Sequence, residues 1–103
     1  MKHLKIEQPK DDFKVLAGTG RSQVAVMVLG PNESTGGPDN KHERSDQWLY
    51  VLAGEGTATV AGQQIDLGPG SLLLIEAGET HEITNTSSQR PLETINIYAP
   101  PEY

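Results

Sequence analysis

The chain has no cysteine among its 103 residues. This excludes disulfide bonds, thiolate metal ligands and cysteine nucleophiles together, so any metal site must use nitrogen and oxygen ligands. Basic residues are also scarce, since 8 Lys and Arg stand against 14 Asp and Glu and give a net charge of −6. A chain of this charge, with no basic cluster, is a poor partner for nucleic acid or for an anionic membrane.

Long apolar runs are missing from the sequence as well. No stretch approaches the roughly 18 apolar residues of a membrane span, and residues 1–15 lack the apolar core of a signal peptide. We therefore expect a cytoplasmic protein. The length fits one domain, and a domain this small gains from pairing with a second copy because it buries only about 60–70% of its unfolded surface. We predict a single domain over residues 1–103 and a homodimer.

Short apolar runs separated by turn residues dominate the chain, which contains 11 Gly and 7 Pro. No window of a dozen residues has a helical period, so we predict an all-β protein with about eight to ten strands in a sandwich or small barrel. Residues 30–40 (GPNESTGGPDN) are predicted to be loop throughout, because proline cannot donate to a sheet ladder. The predicted strands cover residues 13–17, 22–29, 48–53, 57–61, 71–75, 81–84 and 92–98.

The three histidines differ in their surroundings. His3 lies near the first residue and is expected to be solvated. His42 and His81 each follow a Gly-rich reversal and are predicted to open a strand, which is where a β-fold places the mouth of its interior. These two histidines are therefore the candidate site residues.

The stretch around His81 resembles the second motif of the cupin superfamily, G-x5-P-x-G-x2-H-x3-N. Gly70, Gly78, His81 and Asn85 occupy four of its five fixed positions with unbroken spacing, and Glu76 stands in the place of the proline. The resemblance extends to the first motif, G-x5-H-x-H-x3or4-E-x6-G, when its last glycine is taken as Gly54.

Counting back from Gly54 places Gln47 at the glutamate position, His42 at the second histidine position and Asn40 at the first. The two motifs then cover about residues 36–54 and about residues 70–85. The resemblance implies a cupin double-stranded β-helix, which is a jelly-roll-like barrel, with a divalent transition metal (Fe, Mn, Ni, Zn or Cu). The metal ligands that it implies are Asn40, His42, Gln47 and His81.

Two of these four positions depart from the family pattern. The amides of Asn40 and Gln47 keep a carbonyl oxygen that can reach a cation, but they remove charge and basicity. A spacing of three residues from His42 selects Asp46 instead, and His42, His81 and Asp46 would form a set suited to non-haem Fe(II). In another alternative, the two histidines are satisfied by backbone hydrogen bonds in a barrel that has lost its metal.

Two functions follow from the resemblance. One is a metal-dependent enzyme, such as a dioxygenase or an isomerase, that acts on a small polar molecule. The other is a non-catalytic barrel that binds a sugar or another small metabolite, for which neutral amides are good partners. Three glutamates near His81 are expected to be rim charges of a solvated turn, namely Glu76, Glu79 and Glu82.

Trp48 and Tyr50 alternate with Gln47 along the same predicted strand. If Gln47 faces the cavity, both aromatic side chains face outward. We expect them to be covered either by a second subunit or by the N-terminal part of the same chain.

Overall fold

The computed structural model describes residues 1–37 and 41–103, together with the bounds of the strand that runs through 38–40. Asn40, one of the predicted ligands, therefore lies outside the described residues. The described part of the chain contains no helix long and apolar enough to cross a membrane. Its strands are β1 (Phe13–Gly18), β2 (Gln23–Leu29), β3 (Ser34–Lys41), β4 (Asp46–Ala53), β5 (Gly56–Val60), β6 (Gln63–Leu67), β7 (Leu72–Ile75), β8 (Thr80–Asn85) and β9 (Leu92–Ala99).

The strands form two antiparallel sheets. One sheet has the order β1-β2-β9-β4-β7 and the other has the order β3-β8-β5-β6. The buried core contains residues of both sheets, including Leu49 and Val51 of β4 and Ala58 and Ile83 of the smaller sheet. This arrangement confirms the predicted all-β cupin double-stranded β-helix.

Strand β4 shows how the sequence fixes which side chains face the interior. Its residues DQWLYVLA alternate between exposed and buried positions from Asp46 to Val51. Because successive side chains of a strand point to opposite faces, burial of Leu49 and Val51 also places Gln47 inside. The polar Gln47 is 3% exposed.

Residues 34–41 are strand β3, so the prediction of a loop over residues 30–40 is wrong for most of that stretch. β3 lies at the edge of its sheet and pairs with β8 alone, with a register shift between Gly36 and Lys41. An edge strand needs a single ladder, and therefore tolerates Gly and Pro. His42 follows the last residue of β3 and does not open a strand, because β4 begins only at Asp46.

Two residues of the sequence motifs have structural roles. Asn85 is 1% exposed, and its Nδ2 donates to the carbonyl oxygens of Leu29, Gly30 and Arg90 at 2.8–3.0 Å. It thereby ties the end of β2 to the connection between β8 and β9. Gly54 has a φ of +96°, and a Cβ atom there would collide with the backbone of Pro91.

Candidate functional site

The predicted site residues line a small cavity of about 60 Å³. His42 follows β3 and Gln47 lies on β4 of the other sheet, while His81 comes from β8, which pairs with β3. The structure therefore brings together three of the four predicted ligands. The residues that line the cavity are Phe13, Met27, Thr35, His42, Gln47, His81, Ile83, Tyr98 and Tyr103.

The two histidine rings are neighbours. Their centroids are 4.8 Å apart with an interplanar angle of 39°. The Nδ1 atom of His81 lies 3.4 Å from the carbonyl oxygen of Glu79, and the Nδ1 atom of His42 lies 3.5 Å from a carboxylate oxygen of Glu102. Each Nδ1 faces an oxygen acceptor, an arrangement that favours the tautomer with the hydrogen on Nδ1 and the lone pair on Nε2.

The protonation of His81 is set mainly by its burial. Desolvation lowers the pKa of its imidazole below the ordinary value; the contact with the Glu79 carbonyl raises it, and neighbouring His42 lowers it further. The net direction is downward, so the ring is neutral at neutral pH. Neutral imidazole is the form that binds a metal ion.

The orientation of the Gln47 amide is fixed by a chain of buried hydrogen bonds. Thr94 Oγ1 donates to the carbonyl oxygen of Met27 at 2.8 Å, and it accepts from Asn96 Nδ2 at 3.0 Å. Asn96 Oδ1 then accepts from Gln47 Nε2 at 2.9 Å. Since a backbone carbonyl can only accept, the direction of every bond in the chain follows from Met27.

This chain leaves the Gln47 carbonyl oxygen without a partner. Among the described side chains, Gln47 Oε1 is the buried polar atom that has no hydrogen bond. A buried acceptor without a partner costs about 1–3 kcal/mol. Such an atom in a cavity wall, beside two imidazoles with spare lone pairs, marks a place for a cation or for a hydrogen-bond donor.

The arrangement fits a metal ion held by nitrogen and amide oxygen. The described residues contain no group of three or more His, Cys, Asp and Glu side chains that could hold a metal. A set of metal ligands in this cavity would therefore need the amide oxygen of Gln47 in addition to His42 and His81. Imidazole nitrogen and carbonyl oxygen are both ligands of divalent transition metals.

Asp46 does not face the cavity. Its side chain is exposed, and Oδ1 accepts from the backbone N–H of Ala77 at 2.9 Å. The alternative set with Asp46 is therefore not formed. The side chain of Glu79 accepts from the backbone N–H of Glu76 at 2.8 Å, which places it in the turn before β8.

Two tyrosines of the cavity wall, Tyr98 and Tyr103, were not predicted from the sequence. Tyr98 is 2% exposed, and its ring meets that of His42 edge-on at 5.4 Å. Burial raises the pKa of Tyr98 far above its ordinary range, with further contributions from Tyr103 and Glu102, so the phenol stays protonated. The alternation of β9 places Tyr98 on the inner face with Thr94 and Asn96, and this pattern could have revealed it.

Comparison with known proteins identifies the family to which this chain belongs. The family model described as Cupin domain matches residues 25–98, and the chain therefore belongs to the cupin family. A stretch of 64 residues is 34% identical to an oxalate-binding protein of Thermotoga maritima, covering 62% of this chain and 51% of that protein. The chain thus spans about half the length of the curated relative it matches.

Solved structures show the same fold. A Bacillus halodurans protein is 30% identical with a TM-score of 0.83, covering 89% of this chain and 72% of its own. A predicted oxalate decarboxylase of Thermotoga maritima is 30% identical with a TM-score of 0.69, covering 77% and 66%. KdgF of Halomonas sp. is 22% identical with a TM-score of 0.77, covering 86% and 77%, and shows likeness of fold alone.

Proposed function

We propose that this cupin domain binds a divalent transition metal through His42, Gln47 and His81, and that the loaded site binds a small carboxylate such as oxalate. Asn40 is the fourth ligand predicted from the sequence. The observation that carries the proposal is the partnerless Gln47 Oε1 in a cavity that it shares with two imidazoles. Three lone-pair donors on one small cavity are well matched to a cation.

The neutrality of these ligands favours an anionic guest. Without metal, a cavity that presents the lone pairs of His42, Gln47 and His81 in a chain of net charge −6 disfavours a carboxylate. A divalent ion bound by imidazole and amide groups keeps its full charge of about +2, because none of those ligands is anionic. A dicarboxylate would then neutralise the ion.

The size of the cavity limits the guest. A volume of about 60 Å³ is well below the roughly 300–1,000 Å³ of most small-molecule sites. A sugar would not fit without movement of the walls. Oxalate is much smaller than a sugar, and it appears in the name of the Thermotoga maritima relative. Buried Tyr98 lines the same cavity and keeps its phenolic proton, next to the hydroxyl of Tyr103.

A metal-dependent enzyme that acts on the same molecule is the second candidate. A bound metal would supply Lewis-acid polarisation of a carboxylate or carbonyl oxygen. Tyr98 favours this candidate because it lines the cavity and its phenol stays protonated. Among the described residues that line the cavity, none has a carboxylate that could act as a general base, and this supports binding over catalysis.

Calorimetric titration tests the proposal. Chelator-treated protein is expected to take up one Zn²⁺ or Mn²⁺ per chain, and His81→Ala is expected to lose this uptake. Oxalate is expected to bind the loaded protein and not the chelated one. Oxalate binding that persists in chelator would instead favour the metal-free barrel, and absence of metal uptake by the wild type would refute the proposal. Decay of oxalate over time would favour the enzyme.

The predicted homodimer is supported by an apolar stripe on the outer face of the larger sheet. Trp48 lies opposite Ile97, and Tyr50 lies opposite Leu72. The four residues are 40–62% exposed. Met1 and Leu4 lie beside Ile97 at one end of the stripe, which leaves room for a second copy over the rest. A single domain over residues 1–103 and a cytoplasmic location stay predictions.

A further inference from the structure

Residues 100–103, called here the closing segment, are fastened across one side of the cavity. Buried Ser45 donates its hydroxyl to the carbonyl oxygen of Pro100 at 2.6 Å. Gln23 holds the other end, since its Nε2 donates to the carbonyl oxygen of Tyr103 at 2.7 Å and its Oε1 accepts from the backbone N–H of Tyr103 at 3.0 Å. Both fastening side chains belong to buried residues, at 2% and 8% exposure.

The ring of Tyr103 completes the cavity wall. Its centroid is 4.7 Å from that of Phe13, 5.2 Å from that of Tyr98 and 6.0 Å from that of His42. These contacts fix the closing segment by aromatic packing as well as by hydrogen bonds. Glu102, one of the two residues between the fastened points, is thereby held close to the histidine pair.

Glu102 brings a carboxylate to the back of His42. Its Oε1 lies 3.5 Å from Nδ1 of His42, with the two side chains 28% and 12% exposed. The imidazole of His81 has a different partner, since its Nδ1 lies 3.4 Å from the backbone carbonyl oxygen of Glu79. His42 is thus matched to a carboxylate and His81 to a carbonyl, and both keep Nε2 for a guest.

We infer that Glu102 is a positioning residue that holds the hydrogen of His42 on Nδ1 and so presents Nε2 as a ligand. The inference rests on the proposed metal site and deepens it. A metal-binding imidazole commonly donates its other N–H to a carboxylate, which fixes the tautomer and raises the basicity of the ligand nitrogen. In this chain the carboxylate comes from outside both sequence motifs, and it supplies negative charge that the amide ligands lack.

The distance sets the expected size of the effect. At 3.5 Å the contact is longer than a well-formed N–H···O bond of about 2.7–3.2 Å, so it acts chiefly through charge. Loss of such a partner typically weakens metal binding by about 10–100-fold. We therefore expect the lower end of that range, about 10-fold.

The test compares Glu102→Ala and Glu102→Gln with Glu43→Gln. Glu43 is adjacent to His42 in sequence but exposed, with its carboxylate 3.9 Å from Lys41. This control removes the same charge from the same neighbourhood. Urea unfolding of each variant shows whether the fold is kept.

Two measurements read the role of Glu102 separately. Long-range ¹⁵N–¹H spectra of chelated protein report the His42 tautomer. They are recorded at about pH 8, a pH at which an ordinary imidazole is neutral. Wild type and Glu43→Gln are expected to carry the hydrogen on Nδ1, and Glu102→Ala is expected to give a mixture. Zn²⁺ titration is expected to show about 10-fold weaker binding for Glu102→Ala at unchanged stoichiometry, and an intermediate value for Glu102→Gln.

An unchanged tautomer in Glu102→Ala, or an affinity equal to that of the Glu43→Gln control, would overturn the inference. The two proposals fail in different ways. If the wild type takes up no Zn²⁺, the metal site is wrong, and the His42 tautomer alone then decides whether Glu102 orients the ring.

Discussion

Replacing Gln47 by glutamate tests the hydrogen-bond chain behind the cavity. The change removes the Nε2 donor, so Asn96 must turn its own Nδ2 toward the new carboxylate. Asn96 Oδ1 then faces Thr94 Oγ1, whose single hydrogen already serves the carbonyl oxygen of Met27. One buried acceptor of the chain is left unpaired whichever way the side chains rotate.

The cost of Gln47→Glu can be worked from these contacts. An unpaired buried acceptor costs about 1–3 kcal/mol, and burial of the new carboxylate adds to that. We expect a loss of about 2 kcal/mol in the free energy of unfolding in chelator, or a fall of about 10 °C in Tm for a domain of this size. A carboxylate is a stronger ligand than an amide, so metal at about 100 times its Kd should restore about 2.7 kcal/mol or more.

Thermal and urea unfolding with chelator and with Zn²⁺ measure both effects. Gln64→Glu, on the exposed part of β6, makes the same change in charge and should alter stability by less than about 0.5 kcal/mol. A Gln47→Glu variant as stable as wild type in chelator would refute the directed chain. A destabilised variant that metal fails to restore would contradict the position of the amide oxygen at a cation site.

Three further predictions follow from other parts of the structure. Burial lowers the pKa of His81 below 6.5, so the unfolded chain binds a proton at this histidine at a higher pH than the folded chain does. The stability of chelated protein should therefore fall as pH drops from about 7.5 to 5.5 and level off below the folded pKa. His81→Gln should show a smaller fall by urea unfolding, and an equal fall would contradict this origin. Asn85→Leu should lower the free energy of unfolding by about 3 kcal/mol in urea, because it leaves several buried carbonyl oxygens without a donor, while the metal stoichiometry stays unchanged. An unaffected stability would contradict the structural role of Asn85. Trp48→Glu should convert a dimer to a monomer in sedimentation, and a persistent dimer would exclude this face as the interface.

The alternation of apolar residues predicted much of the fold. In β4 the buried Leu49 and Val51 fix the inward face, and the count from Gly54 selects Gln47 for that face. The choice between Gln47 and Asp46 is thus a consequence of the two-residue period of a strand. The edge strand β3 was missed because Gly and Pro argue against a strand only where both sides of its ladder are needed.

Other parts of the site could not be predicted from local pattern. Asn96 supports Gln47 from a strand 49 residues away, and Ser45 fastens Pro100 across 55 residues. Such pairs depend on which strands become neighbours, and no local period encodes that. Glu102 likewise reaches His42 only because Gln23 and Ser45 fix the closing segment, so its position is a property of the assembled barrel.

A crystal structure of the protein grown with Zn²⁺, with anomalous data at the zinc edge, addresses the metal site itself. We expect one peak between the histidine rings, about 2.0–2.2 Å from Nε2 of His42 and of His81, with the Gln47 oxygen as a further ligand. Absence of a peak in the cavity, or a peak bound by Asp46 at the surface instead, would contradict the proposed site.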